Sequence, residues 1–349
     1  MLFLKVPRKE GERTRQELMA AGLLDNRYSI SSEGGFVYLP LAGDAQGRLP
    51  SGMEFVTVDR DVEKRPVPPK TLTDALSGLL TEEERDALVA SFDIIGDIVI
   101  VEIPERLEPK EKEIGEALLR VHKNVKTVLK KLGPMEGEFR VRRLGFLVGE
   151  DRTETTYREN DVPMKLDVAK VYFSVRLASE RKRIAELVEC GERVLVLFAG
   201  VGPFALAIAK KRPDAHVVAV EMNPDAVRYL KENILLNKFD NVEALLGDAR
   251  EVVPSLPAGS FDRIIMPLPR SAEDFLDLAF AAVKDGGMVH FYTLAGASDP
   301  FGEAMEKAEL KTEKSGVSVE ISGQRVVRPY SPLVVQVVLD LHVRKNKQH

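Results

Sequence analysis

The chain has 349 residues, more than the roughly 250–300 at which one hydrophobic core stops growing, so two or three domains are expected. Apolar residues make up 44% and charged residues 30%, the balance of a globular chain and not of a disordered one. The net charge of −5 argues mildly against a nucleic-acid partner, and the single cysteine, Cys190, excludes an internal disulfide and any cysteine-cluster metal site.

One sulfur in a long chain fits a reducing cytosol, so a cytoplasmic location is expected, with Cys190 as a buried small residue. No stretch approaches the ~18 apolar residues of a membrane span, and MLFLKVPRKEGER lacks the apolar core of a signal peptide.

In chain order, residues 1–60 read as a small α+β module: a strand at Leu2–Val6, a helix at Glu10–Leu24, and strands at Gly34–Pro40 and Glu54–Val58. DRDVEKRPVPPKT (Asp59–Thr71) is charged, holds three prolines and lacks apolar periodicity, so a linker is expected at 61–71. A middle α+β domain follows at 72–161. Leu72–Leu79 and Glu82–Phe92 read as short helices, and Thr81 with Glu84 has the capping-box pattern. Asp97–Glu102 reads as a strand. The stripe Ile114, Leu118, Val121, Val125 and Val128 predicts one long helix over Lys110–Leu132. Phe139–Val148 and Arg152–Tyr157 suggest a strand pair. From Lys110 to Arg143 the chain is strongly basic, with no acid between Glu116 and Glu136; a solvated helix face and an RNA-contacting patch both fit.

Over 162–345 short apolar strands alternate with amphipathic helices. Strands are expected at Val194–Phe198, Val217–Glu221, Val242–Leu246, Arg263–Met266, Gly287–Tyr292 and Val334–Val343. Helices are expected at Phe204–Lys211, Pro224–Asn237, Ala272–Val283 and Phe301–Ala308. Such alternation predicts a doubly wound, mostly parallel α/β sheet of Rossmann type.

The first strand–helix turn, LFAGVGPF, carries Gly200 and Gly202, which let backbone N–H groups approach a ligand at a helix N-terminus. Glu221 ends the second strand, where an acid can accept hydrogen bonds from ribose hydroxyls. Asp248 follows the third strand and can accept from an adenine amino group. DRIIMPLP closes the fourth strand, and Phe204 or Ala205 stands where a dinucleotide fingerprint has its third glycine. The pattern favours one adenosine-bearing ligand without a pyrophosphate. A nicotinamide dehydrogenase is disfavoured further because none of the five histidines is placed for catalysis or in a metal-spaced cluster.

Nearly the whole chain resembles the archaeal and eukaryotic type tRNA (guanine-37-N1)-methyltransferases. The resemblance is carried by Ser91–Leu129, Lys165–Val188, Leu197–Lys211, Met266–Asp277 and Val327–Val343. It implies a tRNA-checking N-terminal module, a middle RNA-binding domain, and a class I methyltransferase domain holding S-adenosyl-L-methionine on Phe198, Gly200, Gly202, Glu221, Met222, Asp248, Ala249, Pro267 and Arg181. It assigns the base that takes the guanine N1 proton to Glu180, the cation on O6 to Arg140 with Arg142 as alternate, and an ordering role to Tyr172, so that Tyr172 and Glu180 flank one pocket. RNA contacts are expected from Lys123, Lys126, Lys130, Arg142 and Arg143. The expected partner is tRNA, with no metal and no membrane, and the protein is expected to be a monomer.

The chain departs from the family pattern at Val196 (often Asp), at Pro267-Leu268-Pro269 (often Asn-Leu-Pro) and at Ser174-Val175-Arg176 (usually Ser-Pro-Arg). The competing readings are an aminocarboxypropyl transferase of wyosine-type tRNA modification and a non-catalytic RNA-binding protein with a degenerate methyltransferase domain.

Overall fold

A computed structural model of the chain describes residues 1–43, 45, 48, 56–60, 69–88 and 92–346. They form two compact units, Met1–Thr71 and Leu72–His349. In the first, β1 (Leu2–Pro7) leads to α1 (Gly11–Ala20), β2 (Ser31–Glu33), β3 (Phe36–Pro40) and β4 (Val56–Asp59). The sheet order is β2-β3-β1-β4, all antiparallel. Leu4 and Val6, on one face of β1, join Leu18, Leu23, Leu39 and Leu41 in its core. Residues 54–55 and 61–68, which include most of the expected linker, lie outside the described residues.

The second unit begins with α2 (Leu72–Ala75) and α3 (Glu82–Ala87), the latter started by the capping box: Thr81 N–H donates to Glu84 at 2.8 Å, and Glu84 N–H donates to the Thr81 hydroxyl at 3.3 Å. Then come β5 (Phe92–Ile95), β6 (Ile98–Val101), α4 (Glu111–Val121), β7 (Thr127–Glu136) and β8 (Val141–Gly149), a sheet ordered β5-β6-β7-β8. The long helix expected at Lys110–Leu132 therefore stops at Val121. Val125 and Val128 fit a helical stripe, but they and Thr127 are β-branched, and Thr127 and Val128 pair in parallel with Ile98 and Val99. Burial of that strand beside β6 overrides the helical period.

The expected strand pair is also corrected. β8 pairs with β7, while β9 (Glu154–Glu159) pairs with β10 (Val162–Asp167). The expected boundary at 161/162 falls at the tip of that hairpin, where Asn160 and Asp161 have φ of 48° and 63°. Positive φ at both central residues is the two-residue turn that matches strand twist.

The remainder alternates as expected: α5 (Ala178–Leu187), β11 (Arg193–Leu197), α6 (Pro203–Lys211), β12 (His216–Glu221), α7 (Pro224–Asn237), β13 (Val242–Leu246), α8 (Ala249–Ser255), β14 (Phe261–Met266), α9 (Leu276–Ala282), β15 (Val283–Gly296), α10 (Pro300–Ser315), β16 (Val317–Ser331) and β17 (Val334–Lys345). The sheet order is β13-β12-β11-β14-β15-β17-β16. Pairings are parallel from β13 to β15 and antiparallel for the last two. Val194–Leu197 is fully buried, as a central parallel strand covered on both faces requires. Strand order reverses between β11 and β14, the switch point beside which doubly wound sheets bind ligands. The expected Ala272–Val283 helix divides into a 3-10 turn at Ala272–Phe275 and α9, and Val283 opens β15. Cys190, expected to be buried, is exposed. It lies in the turn between α5 and β11, clear of the core.

Candidate active site

At the carboxyl ends of β11, β12 and β14, beside the switch point, lies a cavity of about 440 Å³. Its floor is the turn after β11. Phe198 and Gly200 both have positive φ, 55° and 56°, so the chain folds sharply out of the strand beneath the cavity. A Cβ on Gly200 would meet nothing nearer than the Tyr172 carbonyl at 3.8 Å, so the space over this residue is open. Gly202, expected to touch the cofactor, does not line the cavity. It is glycine for packing: its φ is +95°, and a Cβ would lie 2.3 Å from Leu230 Cδ1.

Glu221 ends β12 with its carboxylate tied from both sides. Gly200 N–H donates to Oε2 and Asn223 N–H to Oε1, each at 2.8 Å. Burial raises its pKa above the usual 4.5 against the opposing pull of these N–H groups. Asp248 caps α8, accepting from Arg250 N–H at 2.8 Å, and keeps its side chain on the cavity wall. Phe198 meets Phe275 edge to face with centroids 4.8 Å apart, and Arg250 lies over Phe275 at 4.3 Å. Met222, Ala249 and Pro267 complete this half.

The other half is cationic and aromatic. Arg140 lies over the Tyr172 ring at 5.3 Å. Arg328 approaches the Tyr172 hydroxyl and Ser174 Oγ at 3.4 Å. Arg181 is buried, forked onto Glu159 at 2.8 and 2.5 Å, and donates to the Ser174 carbonyl at 3.1 Å. It shapes the loop that carries Tyr172 while reaching the cavity wall.

Glu180 is the main departure. Tyr172 lines the cavity and Glu180 does not. One residue from Arg181 on α5, its side chain points to a different side and is buried. Arg183 forks onto it at 2.7 and 3.1 Å, the Tyr292 hydroxyl donates to it at 2.6 Å, and Arg325 stands 3.5 Å away. The two residues expected to flank one pocket are thus separated by the cavity wall.

The expected RNA contacts do not share a helix face. Lys123 and Lys126 are exposed around the turn between α4 and β7, Lys130 sits in β7 paired with Glu111, and Arg142 and Arg143 are on β8. Asn223, which sequence reasoning passed over, caps α7 and donates to the Lys170 carbonyl at 2.9 Å. Its signal was present: an Asn before Pro224, just after a strand-ending acid, is a helix start. Arg250, Arg270 and Phe275 also line the cavity and had no such local pattern.

Residues 155–320 match the TRM5/TYW2 methyltransferase domain, residues 72–153 the TYW2 N-terminal domain and residues 4–48 the tRNA methyltransferase 5 N-terminal domain. The tRNA (guanine(37)-N(1))-methyltransferase Trm5b of Pyrococcus abyssi is 44% identical over 98% of this chain and 99% of its own. The chain belongs to the TRM5/TYW2 methyltransferase family. Among solved structures, the complex of aTrm5 and tRNALeu matches with a TM-score of 0.80 at 36% identity, over 98% of this chain and 99% of that one. The family also includes a tRNA(Phe) (4-demethylwyosine(37)-C(7)) aminocarboxypropyltransferase of Pyrococcus horikoshii, 35% identical over 79% of this chain and 97% of its own. Fold class and cofactor class thus agree with the expectation drawn from the motifs.

Proposed function

We propose that this enzyme transfers the methyl group of S-adenosylmethionine to N1 of guanosine 37 of tRNA, next to the anticodon. The observation that carries this reading is the meeting, in one cavity, of the Glu221 acid wall with Arg140, a guanidinium held over Tyr172 and hydrogen-bonded to no acid among the described residues.

The residues present fit the cofactor. Gly200 leaves backbone open to a close ligand, Glu221 presents an acceptor to ribose hydroxyls, Asp248 presents one to an adenine amino group, and Phe198 with Phe275 offers an apolar wall. Bound there, S-adenosylmethionine supplies an electrophilic methyl group on a sulfonium. As guanine N1 loses its proton, charge develops on O6. Arg140 neutralises that charge, and the Tyr172 ring holds the guanidinium in place. Glu180 takes the proton only if its carboxylate exchanges the Arg183 fork for the guanine N1–H. Arg181 and Glu159 keep the intervening loop fixed.

Aminocarboxypropyl transfer is the second reading, favoured by the TYW2 N-terminal match over residues 72–153. Against it stands the segment at 4–48, which matches the tRNA methyltransferase 5 N-terminal domain. Incubation with unmodified tRNA and methyl-labelled cofactor, followed by nucleoside mapping, separates the two. The expected product is 1-methylguanosine at position 37; a heavier adduct, or no transfer, overturns the proposal.

A further inference from the structure

Behind Tyr172 lies a second, smaller cavity of about 80 Å³. It shares Arg140, Tyr172 and Phe173 with the large one, so the Tyr172 side chain is a partition between two compartments. A single water needs roughly 10–15 Å³ of such space, so the slot admits a group of several heavy atoms and not a whole nucleoside. Its floor is apolar, formed by Ile95, Ile100, Leu144, Val168 and Val171 from β5, β6, β8 and the segment after β10.

Its rim is charged in an unusual way. Arg142 is half-buried and makes no side-chain hydrogen bond or ion pair among the described residues, and Arg140 has only the Tyr172 ring. Neighbouring cations on the same β7–β8 hairpin are engaged: Lys130 with Glu111, Lys131 with Glu102 at 3.3 Å, and Arg143 with Glu136 at 3.7 Å. A half-buried guanidinium without an anion loses hydration and gains nothing in return, so it marks a place where an anion arrives from outside. Asp93, at the same rim, has Oδ1 held by Arg176 at 3.0 Å and Oδ2 unbonded among the described residues. An apolar floor, two free guanidiniums and one open acceptor suit a flat ring with N–H groups on its edge, attached to a phosphodiester. The hairpin carrying this rim also exposes Leu132, Met135, Phe139 and Phe146, apolar and aromatic side chains interleaved with cations as in single-strand RNA platforms.

We propose that the slot behind Tyr172 binds the nucleobase next to the target guanosine, with the phosphate between the two nucleotides gripped by Arg140 and Arg142. The proposal rests on the reading of this protein as an RNA methyltransferase and deepens it. The substrate enters as two splayed bases, one on each side of Tyr172, and Arg140 serves both compartments. Asp93 faces the edge of the flanking base, away from the phosphate.

The test is single-turnover methylation of tRNA transcripts carrying an abasic site at the 5′ or the 3′ neighbour of guanosine 37, by the wild-type enzyme, Arg142→Ala and Leu144→Phe. Arg142→Ala removes the grip, and Leu144→Phe fills the slot without changing charge. On intact tRNA each variant should lose about tenfold, the order of one stacked base. With the abasic site at one of the two neighbours, the wild type should lose the same factor, Leu144→Phe should lose nothing more, and Arg142→Ala should lose its own factor again, because an abasic nucleotide keeps its phosphate. Cofactor binding should be unchanged in both variants. Losses under twofold on intact tRNA, or Leu144→Phe losses that multiply with the abasic losses at both neighbours, overturn the proposal. If Leu144→Phe fails to bind cofactor, Arg142→Ala decides alone. A wild-type enzyme that does not methylate the intact transcript refutes the underlying function and is told apart from failure of the slot by that control.

Discussion

Two charged regions of the second unit are built on opposite principles. Behind the cavity a buried chain of side chains runs without a gap: Tyr292 to Glu180 at 2.6 Å, Glu180 to Arg183 at 2.7 Å, Arg183 to Asp340 at 2.6 Å, Asp340 to His290 at 2.6 Å, His290 to Arg263 at 2.8 Å, and Arg263 to Glu192 at 2.7 Å. Arg263 can only donate, so the facing His290 nitrogen accepts, and the other ring nitrogen donates to Asp340. That fixes the tautomer and leaves the ring neutral. On the cavity side, Arg140 and Arg142 form no ion pair among the described residues. The buried chain is complete in itself and holds α5 to β14, β15 and β17, whereas the rim would be completed by the phosphate proposed above.

The contrast breaks most visibly at Asp340. Asp340→Ala leaves the buried His290 without its carboxylate partner and Arg183 with Glu180 alone, and removing one partner of a buried pair costs about 3–5 kcal/mol. The urea midpoint should fall accordingly; a shift equivalent to under 1 kcal/mol would mean the chain is ornamental. The wild type should also lose stability on acidification. Burial holds the His290 pKa below the ordinary 6.5, so the unfolded chain takes up a proton that the folded one refuses. The contribution is present above about 6.5 and is lost as pH falls below it. Burial opposes ionisation of Asp340, yet His290 and Arg183 hold its pKa well below the usual range, so its own contribution goes only in stronger acid. At the rim the reverse is expected. Arg140→Ala should leave the urea midpoint almost unmoved and cut the single-turnover rate roughly 10²–10³-fold, the size of losing one charge-stabilising donor. A destabilised fold with normal chemistry would exchange the roles of the two regions.

The rim was more legible in the sequence than the buried chain. FAGVGPF, Glu221 and Asp248 announce themselves because each works within its own strand–turn–helix, where pattern and chemistry are local. Arg140 and Tyr172 entered through resemblance, and the structure brings them together in one cavity. The fate of Glu180 was not legible. Its partner Tyr292 lies 112 residues away, and Asp340, which shares Arg183 with it, lies 157 residues from that arginine. No local period reports such pairings. One trace existed: Gln336 and Asp340 interrupt the apolar run of β17, and polar side chains inside a buried strand need partners. The helix expected through Leu132 failed for the same reason, because parallel pairing with β6 is a non-local reward.

Glu180 stands where the two regions meet, and Glu180→Gln sharpens the comparison. If its carboxylate leaves the Arg183 fork to act as base, the single-turnover rate should fall at least tenfold, cofactor affinity should stay, and the rise of rate with pH should disappear. Glu138→Gln, which removes an acid that does line the cavity, should do less. A Glu180→Gln enzyme with an unchanged rate would assign Glu180 wholly to the scaffold, and an unchanged pH profile at reduced rate would make it a positioning residue.

The smallest expected effect concerns Glu221, an acid of the cavity wall whose carboxylate is tied to two backbone N–H groups. Its backbone donors hold it in place, and burial raises its pKa above 4.5. Ribose hydroxyls donate best to the ionised carboxylate, so a protonated Glu221 should bind the cofactor less well. As pH falls from 7 toward the raised pKa, affinity should decline gently, and below it by up to about tenfold per unit. Glu221→Gln should bind weakly at every pH, with a flat profile. Titration calorimetry at pH 7, 6 and 5 reads this directly. A flat wild-type profile would show that Glu221 makes its bonds to Gly200 and Asn223 alone, and would move it from the binding wall to the scaffold.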